Sequence, residues 1–468
     1  SLFAQGGDPV PVDPPPSEPE PRSNEEVVEP YTEDEIRDLI RDEVNALRRD
    51  NGFLFSANGI DLWAGGGVEF EYRSAQENSQ FGTLRPQHGA GKALSLDRAK
   101  LFVEGSYFDH LGATDMQLIT SRIEIGYERD ELSLDQAWLA FNRPLTRFDL
   151  PLFKEYLSDS IMIGLARPFW ANQHRVSESY SLLDESLARD ERLQATWTFS
   201  GGGAFYALAG IGGGSRLALD GEVDGTLNYA LLQDDRESFF DLRSDKDEVS
   251  DSLTTLFGAG VALDLAGRGD VIPRKRVWLP THASAHLDVL HLGLWYAGSQ
   301  LAANEKTMIE GVIGRASEGS SKWRAGATMD LNLALDTHVL YLRAQYAHAK
   351  DGDFSRNFTV VEASLAADLG DAFPLLTVIQ PYARASWLQT SADGPTVGSA
   401  TAVNGPDAMQ AWAAADRFQF TAGVALWFHR RVALKLEYVL NNEEFSVPSG
   451  TENSVDNDVF LINLSANF

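Results

Sequence analysis

The sequence predicts an all-β fold, a transmembrane antiparallel β-barrel of about 16 strands (18 by a looser count) with a short N-terminal helix before it. Three observations predict it. From residue 57 onward, apolar and polar residues alternate with period two through one long segment after another. Tight turns such as Leu335-Asp336 and His429-Arg430 alternate with long polar stretches at 74–95, 213–250, 390–414 and 443–456, the asymmetry of short turns and long loops that membrane barrels show. The last strand has one apolar face, made of Phe460, Ile462, Leu464, Ala466 and Phe468. Asn463, Ser465 and Asn467 share the other face with Val459 and Leu461.

Composition agrees and removes several classes. The 468 residues include no cysteine, so disulfides, thiolate metal sites and thiol catalysis are excluded. No apolar run reaches the ~18 residues of a membrane-crossing helix. A barrel needs none, because only every second residue meets lipid. Forty glycines with 10 Trp, 13 Tyr and 25 Phe suit a β-rich chain with aromatic girdles. The net charge of −29 leaves nucleic acid without the cationic surplus it requires. The acid is concentrated in probable loops, notably 234–251, a solvated loop by the plainer reading. The sharper reading, a divalent cation bridging lipopolysaccharide, finds no calcium-loop pattern there.

The N-terminal region divides in two. Residues 1–31 are rich in Pro and Glu and read as an extended periplasmic linker. No charged segment followed by an apolar one opens the chain; Ser1-Leu2-Phe3-Ala4-Gln5 reads at most as the tail of a removed leader. Residues 32–50 read as an amphipathic helix. Thr32 and Glu35 form a capping box, and Ile36, Leu39, Ile40, Val44 and Leu47 form the apolar stripe. The stripe suits a coiled coil with copies of itself, or packing against the barrel. Residues 51–468 form the barrel.

Within it, strands are expected near 57–72, 98–107, 119–127, 132–142, 157–167, 192–200, 203–212, 252–265, 282–297, 322–334, 337–349, 357–369, 377–389, 416–428, 431–442 and 457–468, with one more countable near 306–314. A soluble β-sandwich rarely strings so many long strands together without helices. No fixed-period motif recurs, which removes propellers and solenoids.

Residues 132–190 are the most specific stretch. Leu134-Asp135-Gln136-Ala137-Trp138-Leu139-Ala140-Phe141 is one strand, and the run from Ser160 to Phe169 ends Gly164-Leu165-Ala166-Arg167-Pro168-Phe169. A loop with Ser181-Leu182-Leu183 and Glu185-Ser186-Leu187 follows. This pattern resembles the phosphate-selective porin O and P family of outer-membrane porins. The final Phe468 likewise resembles the sorting signal of bacterial outer-membrane barrels. The resemblance implies an outer-membrane channel, a homotrimer set in lipid and lipopolysaccharide, with this third loop folded into the lumen at about 168–190. The chain departs from the family at Leu165 and Glu185, where polar or basic residues are usual. Its loop carries Arg175 and Arg189 against Glu178, Asp184, Glu185 and Asp190, so it is net acidic. An anion eyelet needs the opposite balance.

Alternation places Arg98, Lys100, Arg122, Arg324, Arg343, Arg384 and Lys435 on inward faces, with Asp61, Glu69, Glu71, Glu104, Glu124, Asp330, Glu362 and Glu437. Arg or Lys on the lipid face would cost ~2–4 kcal/mol at the midplane. The pore-lining candidates are Arg98, Lys100, Arg122, Arg167, Arg175, Arg189, Arg343, Arg384 and Lys435. Such charges either guide ions or pair across the wall and brace it. No catalytic, cofactor or metal site is expected. His282 and His286 sit on a predicted strand, too far apart for one metal, and His286 with Asp288 lacks a nucleophile-elbow partner. The functional expectation is passive diffusion of small hydrophilic solutes or ions, anions among them. The alternatives are a plugged barrel anchoring an envelope complex, gripping a partner through residues 1–50, and an exporter of a polymer.

Overall fold

Period-two alternation lets each strand turn apolar side chains to one face and polar ones to the other. Closing the sheet on itself then pairs every backbone group without leaving an edge in lipid. The computed structural model describes the strands and parts of the loops between Phe53 and Asn467. Residues 1–52, 76–91, 110–115, 146–156, 171–175, 188–191, 228–240, 244–252, 266–288, 392–415 and 445–453, with shorter stretches elsewhere and Phe468, lie outside the description. The linker at 1–31, the helix at 32–50, Arg175, Arg189, His282 and His286 therefore lie outside it too.

The chain forms β1 (Phe53–Ala57), β2 (Ile60–Ala75), β3 (Lys92–Asp109), β4 (Met116–Glu128), β5 (Glu131–Asn142) and β6 (Leu157–Ala166). Helix α1 (Leu182–Leu187) precedes β7 (Arg192–Gly201) and β8 (Phe205–Gly212). Two short ladders follow, from β9 (Arg216–Ala218), β10 (Glu222–Val223), β11 (Thr226–Leu227) and β12 (Asp241–Arg243). Next come β13 (Thr254–Asp264), β14 (Val289–Gln300), helix α2 (Ala303–Ile313), β15 (Ser321–Leu335) and β16 (His338–Asp351). The rest are β17 (Phe354–Asp368), β18 (Val378–Thr390), β19 (Asp416–Phe428), β20 (Val432–Glu444), β21 (Ser454–Asp456) and β22 (Val459–Asn467).

Sequential neighbours pair antiparallel from β2 to β8, then β8 with β13 and onward to β20, β20 with β22, and β22 with β2. This is a closed barrel of 16 staves. One stave is composite. β22 pairs with the upper part of β2, Asn467 opposite Gly67, and β1 continues the same line, Phe53 opposite Trp63.

One expectation is corrected. Residues 306–314 are not a strand: α2 covers most of them. A short apolar run such as Met308-Ile309 fits either period. The loop asymmetry holds for most connections, with departures. Only two residues, 129–130 and 352–353, separate β4 from β5 and β16 from β17 at the long-loop end, and the connections 143–156 and 265–288 are long at the other end. Level ends of antiparallel neighbours accept a two-residue turn wherever the residues allow it. Gly352, at φ 59°, supplies the left-handed first position at 352–353.

The outward faces are apolar. Leu101, Val103, Ile123, Ile125, Ile163, Leu193, Phe257, Leu294, Val361 and Leu464 are all exposed there. Rings run in series near the long-loop end, Phe257 to Tyr296 at 6.3 Å, Tyr296 to Trp323 at 6.4 Å and Trp387 to Phe418 at 5.3 Å. Within the span of β6, Asp159 is turned outward. It is buried, and it accepts hydrogen bonds from the Leu145 amide (3.2 Å) and the Trp197 indole (3.0 Å), which offset its lost hydration. A greasy belt with aromatic rims around a closed antiparallel barrel is built for lipid. The protein is a transmembrane barrel of the bacterial outer membrane. Among the described residues no helix is long and apolar enough to cross a membrane. The end bearing most long loops faces outside, and the end where β22 finishes faces the periplasm.

Candidate functional site

The inner face is polar, and one segment crosses it. After β6 the chain turns at Arg167–Trp170 and reaches the wall on the far side of the barrel, where β18 stands half-way round the ring from β6. Three features hold it there. The first is apolar. Leu182, Leu183 and Leu187 of α1 pack with Trp170 on Leu208, Leu256, Ala297, Ala347, Phe358, Val360 and Leu388. Each fully buried leucine contributes ~1.5–3 kcal/mol. Trp170 stacks on Trp295 with ring centres 4.6 Å apart and planes 7° from parallel, and its indole donates to the Leu187 carbonyl at 3.0 Å. Phe169 meets Trp170 edge-on at 5.0 Å. The shelf exists because β13 offers Gly258, where a β-carbon would stand in the Phe169 ring.

The second feature is the helix cap. Ser181 accepts a hydrogen bond from the Asp184 amide (3.0 Å) and donates to its carboxylate (2.8 Å), so a Ser-x-x-Asp cap starts α1. The Leu182 amide, left free by the helix, donates to the Ser386 hydroxyl of β18 at 3.0 Å.

The third is a guanidinium latch. Arg384 of β18 donates to Ser177 Oγ (3.1 Å), Ser179 O (2.7 Å) and Ser179 Oγ (2.9 Å). It also donates to Gln419 Oε1 (3.0 Å) and Thr421 Oγ1 (3.1 Å) of β19. Glu437 of β20 accepts from the Ser179 amide (3.0 Å), the Ser179 hydroxyl and the Tyr382 hydroxyl (2.7 Å). Arg384 and Glu437 are 2% and 1% exposed. Buried charges are tolerated only where many such partners surround them.

The register places Arg384 in a lateral series of charges. His291, Asp330, Arg343, Glu362 and Arg384 face one another in turn across β14 to β18. Arg343 lies 3.3 Å from Asp330, which also accepts from the Tyr341 hydroxyl at 3.1 Å. Nearer the outer mouth, Asp351 takes guanidinium groups from Arg324 (2.6 Å) and Arg356 (3.0 Å).

The nine candidate cations separate into groups. Arg343 and Arg384 are inward and buried beneath the crossing segment. Arg98, Lys100, Arg122 and Arg167 come together at the wall of β3 and β4. Arg122 lies 2.5 Å from Glu124, 3.6 Å from Glu104 and 4.2 Å over the Phe102 ring. Arg167, with its side chain 40% exposed, is 4.0 Å from Glu124. Lys100 sits among Arg98, Glu69, Arg167 and Glu124. Lys435 is inward on β20, partly exposed and two residues from Glu437 on the same face. Residues the sequence reading did not single out are Ser177, Ser179, Trp170, Tyr382 and Thr421. Only the Ser181-x-x-Asp184 cap carried a readable local signal.

A second loop also folds over the outer mouth. Glu305 of α2 caps the Ala302 amide (2.8 Å) and holds Lys322 of β15 at 2.7 Å, both carboxylate and ammonium buried. The loop continues to the β16–β17 turn, where Asp353 accepts from the Glu318 amide at 2.8 Å and its own amide donates to Ser317 at 3.2 Å. The Glu318 bond first, then Ser317, holds the Asp353 carboxyl below its ordinary value. A depressed carboxyl favours this contact above the free value near pH 3.9 and loses it as pH falls through the lower, folded value. Acidification through that lower, folded value is expected to free this loop. Faster amide exchange at Glu318, absent from Asp353→Asn, would show it.

No family model matches the sequence, and no curated protein matches it. Among solved structures the chain is similar to the outer membrane channel DcaP of Acinetobacter baumannii (11% identity, TM-score 0.47, 89% of this chain and 99% of that chain). It is also similar to OprB of Pseudomonas putida (9%, 0.47, 92% and 97%). A further likeness is to an anion-selective porin from Comamonas acidovorans (10%, 0.45, 87% and 100%). These are distant likenesses of barrel shape.

Proposed function

We propose that the barrel is a porin, a passive diffusion channel for small hydrophilic solutes and ions, narrowed by the segment at about 168–190. The observation that carries this is the latched crossing of the barrel interior by Ser177–Leu187, packed on β8, β13, β14 and β16–β18. That packing leaves the charged wall of β2–β4 to line the remaining passage. Arg98, Lys100, Arg122 and Arg167 are interleaved there with Asp61, Glu69, Glu71, Glu104 and Glu124. A nearly balanced wall gives a weakly selective channel, and the four cations give anions their place in it. Arg175, Arg189 and Lys435 complete the proposed lining. The likeness to the phosphate-selective porin family supports a homotrimer. No reaction is part of this reading.

The test is single-channel recording in planar bilayers. Discrete openings with a reversal potential near zero in a salt gradient are expected. A strong cation preference would remove anions from the reading, and silence from folded protein would remove the channel. The second reading, a plugged barrel serving as an envelope anchor, draws on the inward fold of α2 and its buried Glu305–Lys322 pair. It is the one that silence would favour.

A further inference from the structure

Carboxamides on the inner wall are hydrogen-bonded with few exceptions. Gln136 donates to Glu124 and accepts from Trp138, Gln194 donates to the Ala166 and Arg167 carbonyls, and Gln419 joins Arg384 to Asn441. Among the described residues two carboxamides, Gln345 and Asn463, are buried with neither oxygen nor nitrogen bonded. Gln345 stands opposite Val360, which packs with the leucines of α1, so it lies behind the crossing segment. Asn463 is on β22, beside β2 and the wall of the proposed passage, and is 0% exposed. A buried amide without partners loses its hydration with nothing in return, and reversing its oxygen and nitrogen supplies neither.

The neighbours of Asn463 suggest what it meets. In the register it lies between Lys435 of β20 and Glu71 of β2. Ser465 follows it on the same face, opposite Glu69, and Glu69 Oε2 is buried and also makes no hydrogen bond. A row that only braced the wall would have the amide accept from the lysine and donate to the glutamate. Asn463 does neither, while Lys435 and Glu71 hold other contacts. The order across three adjacent strands is cation, amide, carboxylate. Two strand spacings, about 10 Å, separate its ends. An extended dipeptide spans about 7 Å, and the lysine and glutamate side chains reach inward over the difference. Its peptide group offers one N–H and one C=O, the two groups that a carboxamide satisfies at once. A metal cation would use the Asn463 oxygen alone and meet Lys435, with Arg98 opposite Glu69. A simple anion would use the nitrogen alone and meet Glu69 and Glu71. A short zwitterionic peptide uses every member.

We infer that this row is a subsite for a short zwitterionic peptide. Lys435 takes its carboxylate, Asn463 its peptide group, and Glu71 with Glu69 its ammonium. Lys435, partly exposed on a flexible four-carbon stem, moves aside to admit the peptide to the buried amide. The inference rests on the channel reading and names a solute class for it.

The experiment titrates glycylglycine into the full chain in detergent micelles and follows saturation-transfer NMR, a readout that needs no conduction. Saturable binding is expected. N-acetylglycinamide, which has peptide groups without the charges, should bind about tenfold more weakly. Asn463→Leu nearly keeps the volume and removes the unpaired groups, so it should fold like the parent and bind glycylglycine about tenfold more weakly. Lys435→Met should weaken binding similarly. Gln345→Leu, the corresponding change behind α1, should bind like the parent. Folding is read from heat-modifiable migration on gels, and either of the Asn463 and Lys435 variants stands alone if the other fails to fold. Equal binding of the uncharged analogue would overturn the inference, as would undiminished binding by the folded variants or no binding at all. Recordings in bilayers judge the channel separately. Openings without peptide binding would sink the subsite and leave the channel, and peptide binding without openings would do the reverse.

Discussion

Arg384→Ala is expected to raise single-channel conductance about twofold and to make the open level noisy, because the segment that narrows the passage loses its hold on the far wall. Arg384 makes five hydrogen bonds within 3.1 Å, three of them to Ser177 and Ser179. Their loss, with the Glu437 carboxylate left among weaker partners, should cost the docked segment about 3 kcal/mol or more. Packing of Trp170 and α1 on Trp295 and Phe358 opposes release, so the expected state is a loosened segment that exchanges between positions. Arg384→Lys is informative beside it. A lysine keeps the charge but cannot serve Ser179 and Thr421 with a planar fork, so it should behave much like alanine. Unaltered conductance in a folded Arg384→Ala barrel would mean that apolar packing alone sets the passage.

The second large effect is on selectivity. Arg98→Glu with Lys100→Glu should move the reversal potential strongly toward cations, with a permeability ratio changed by about tenfold. Glu69 stands opposite Arg98 and Glu104 opposite Arg122 in the register, so the present wall is close to neutral. Reversing two of its cations leaves Arg122 and Arg167 against a surplus of carboxylates. The same reversal at Arg343, buried beneath α1, should instead damage folding, which separates residues that meet solute from those that brace the wall. Bi-ionic potentials in potassium chloride gradients measure the first effect, and heat-modifiability on gels measures the second.

The barrel was legible because its signal is local and repeated. On β22, Phe460 and Leu464 point out while Asn463 and Ser465 point in, and the same parity holds across the inward charges from Asp61 to Glu437. The site was legible only in part. The pattern ending Arg167-Pro168-Phe169 marked the segment that crosses, but nothing near Ser177 announces Arg384, which lies 207 residues away in sequence. A hydrogen bond between distant serine and arginine side chains leaves no periodicity behind it. The helix at Ala303–Ile313 was hidden because Met308, Ile309, Val312 and Ile313 suit either period, though Glu305 behind Ala302 is a helix-starting signal. Strand β1 begins before the alternation is clear, yet Asn58-Gly59 between Ala57 and Ile60 is the dipeptide that a two-residue hairpin favours.

The composite stave has a consequence for how the chain becomes a barrel. Gly67 meets Asn467 across nearly the whole sequence, while Phe53 holds the lower part of the same stave. Every other joint in the wall is made between strands adjacent in the chain or separated by one loop. This one must wait for the last strand to be synthesised and delivered, and its loop-closure entropy is paid in a single late event. Before that event β2 and β20 are open edges, ready to pair with any strand they meet. The seam is therefore the kinetic checkpoint of assembly, the place where an incomplete or mispaired chain is first exposed to capture by another.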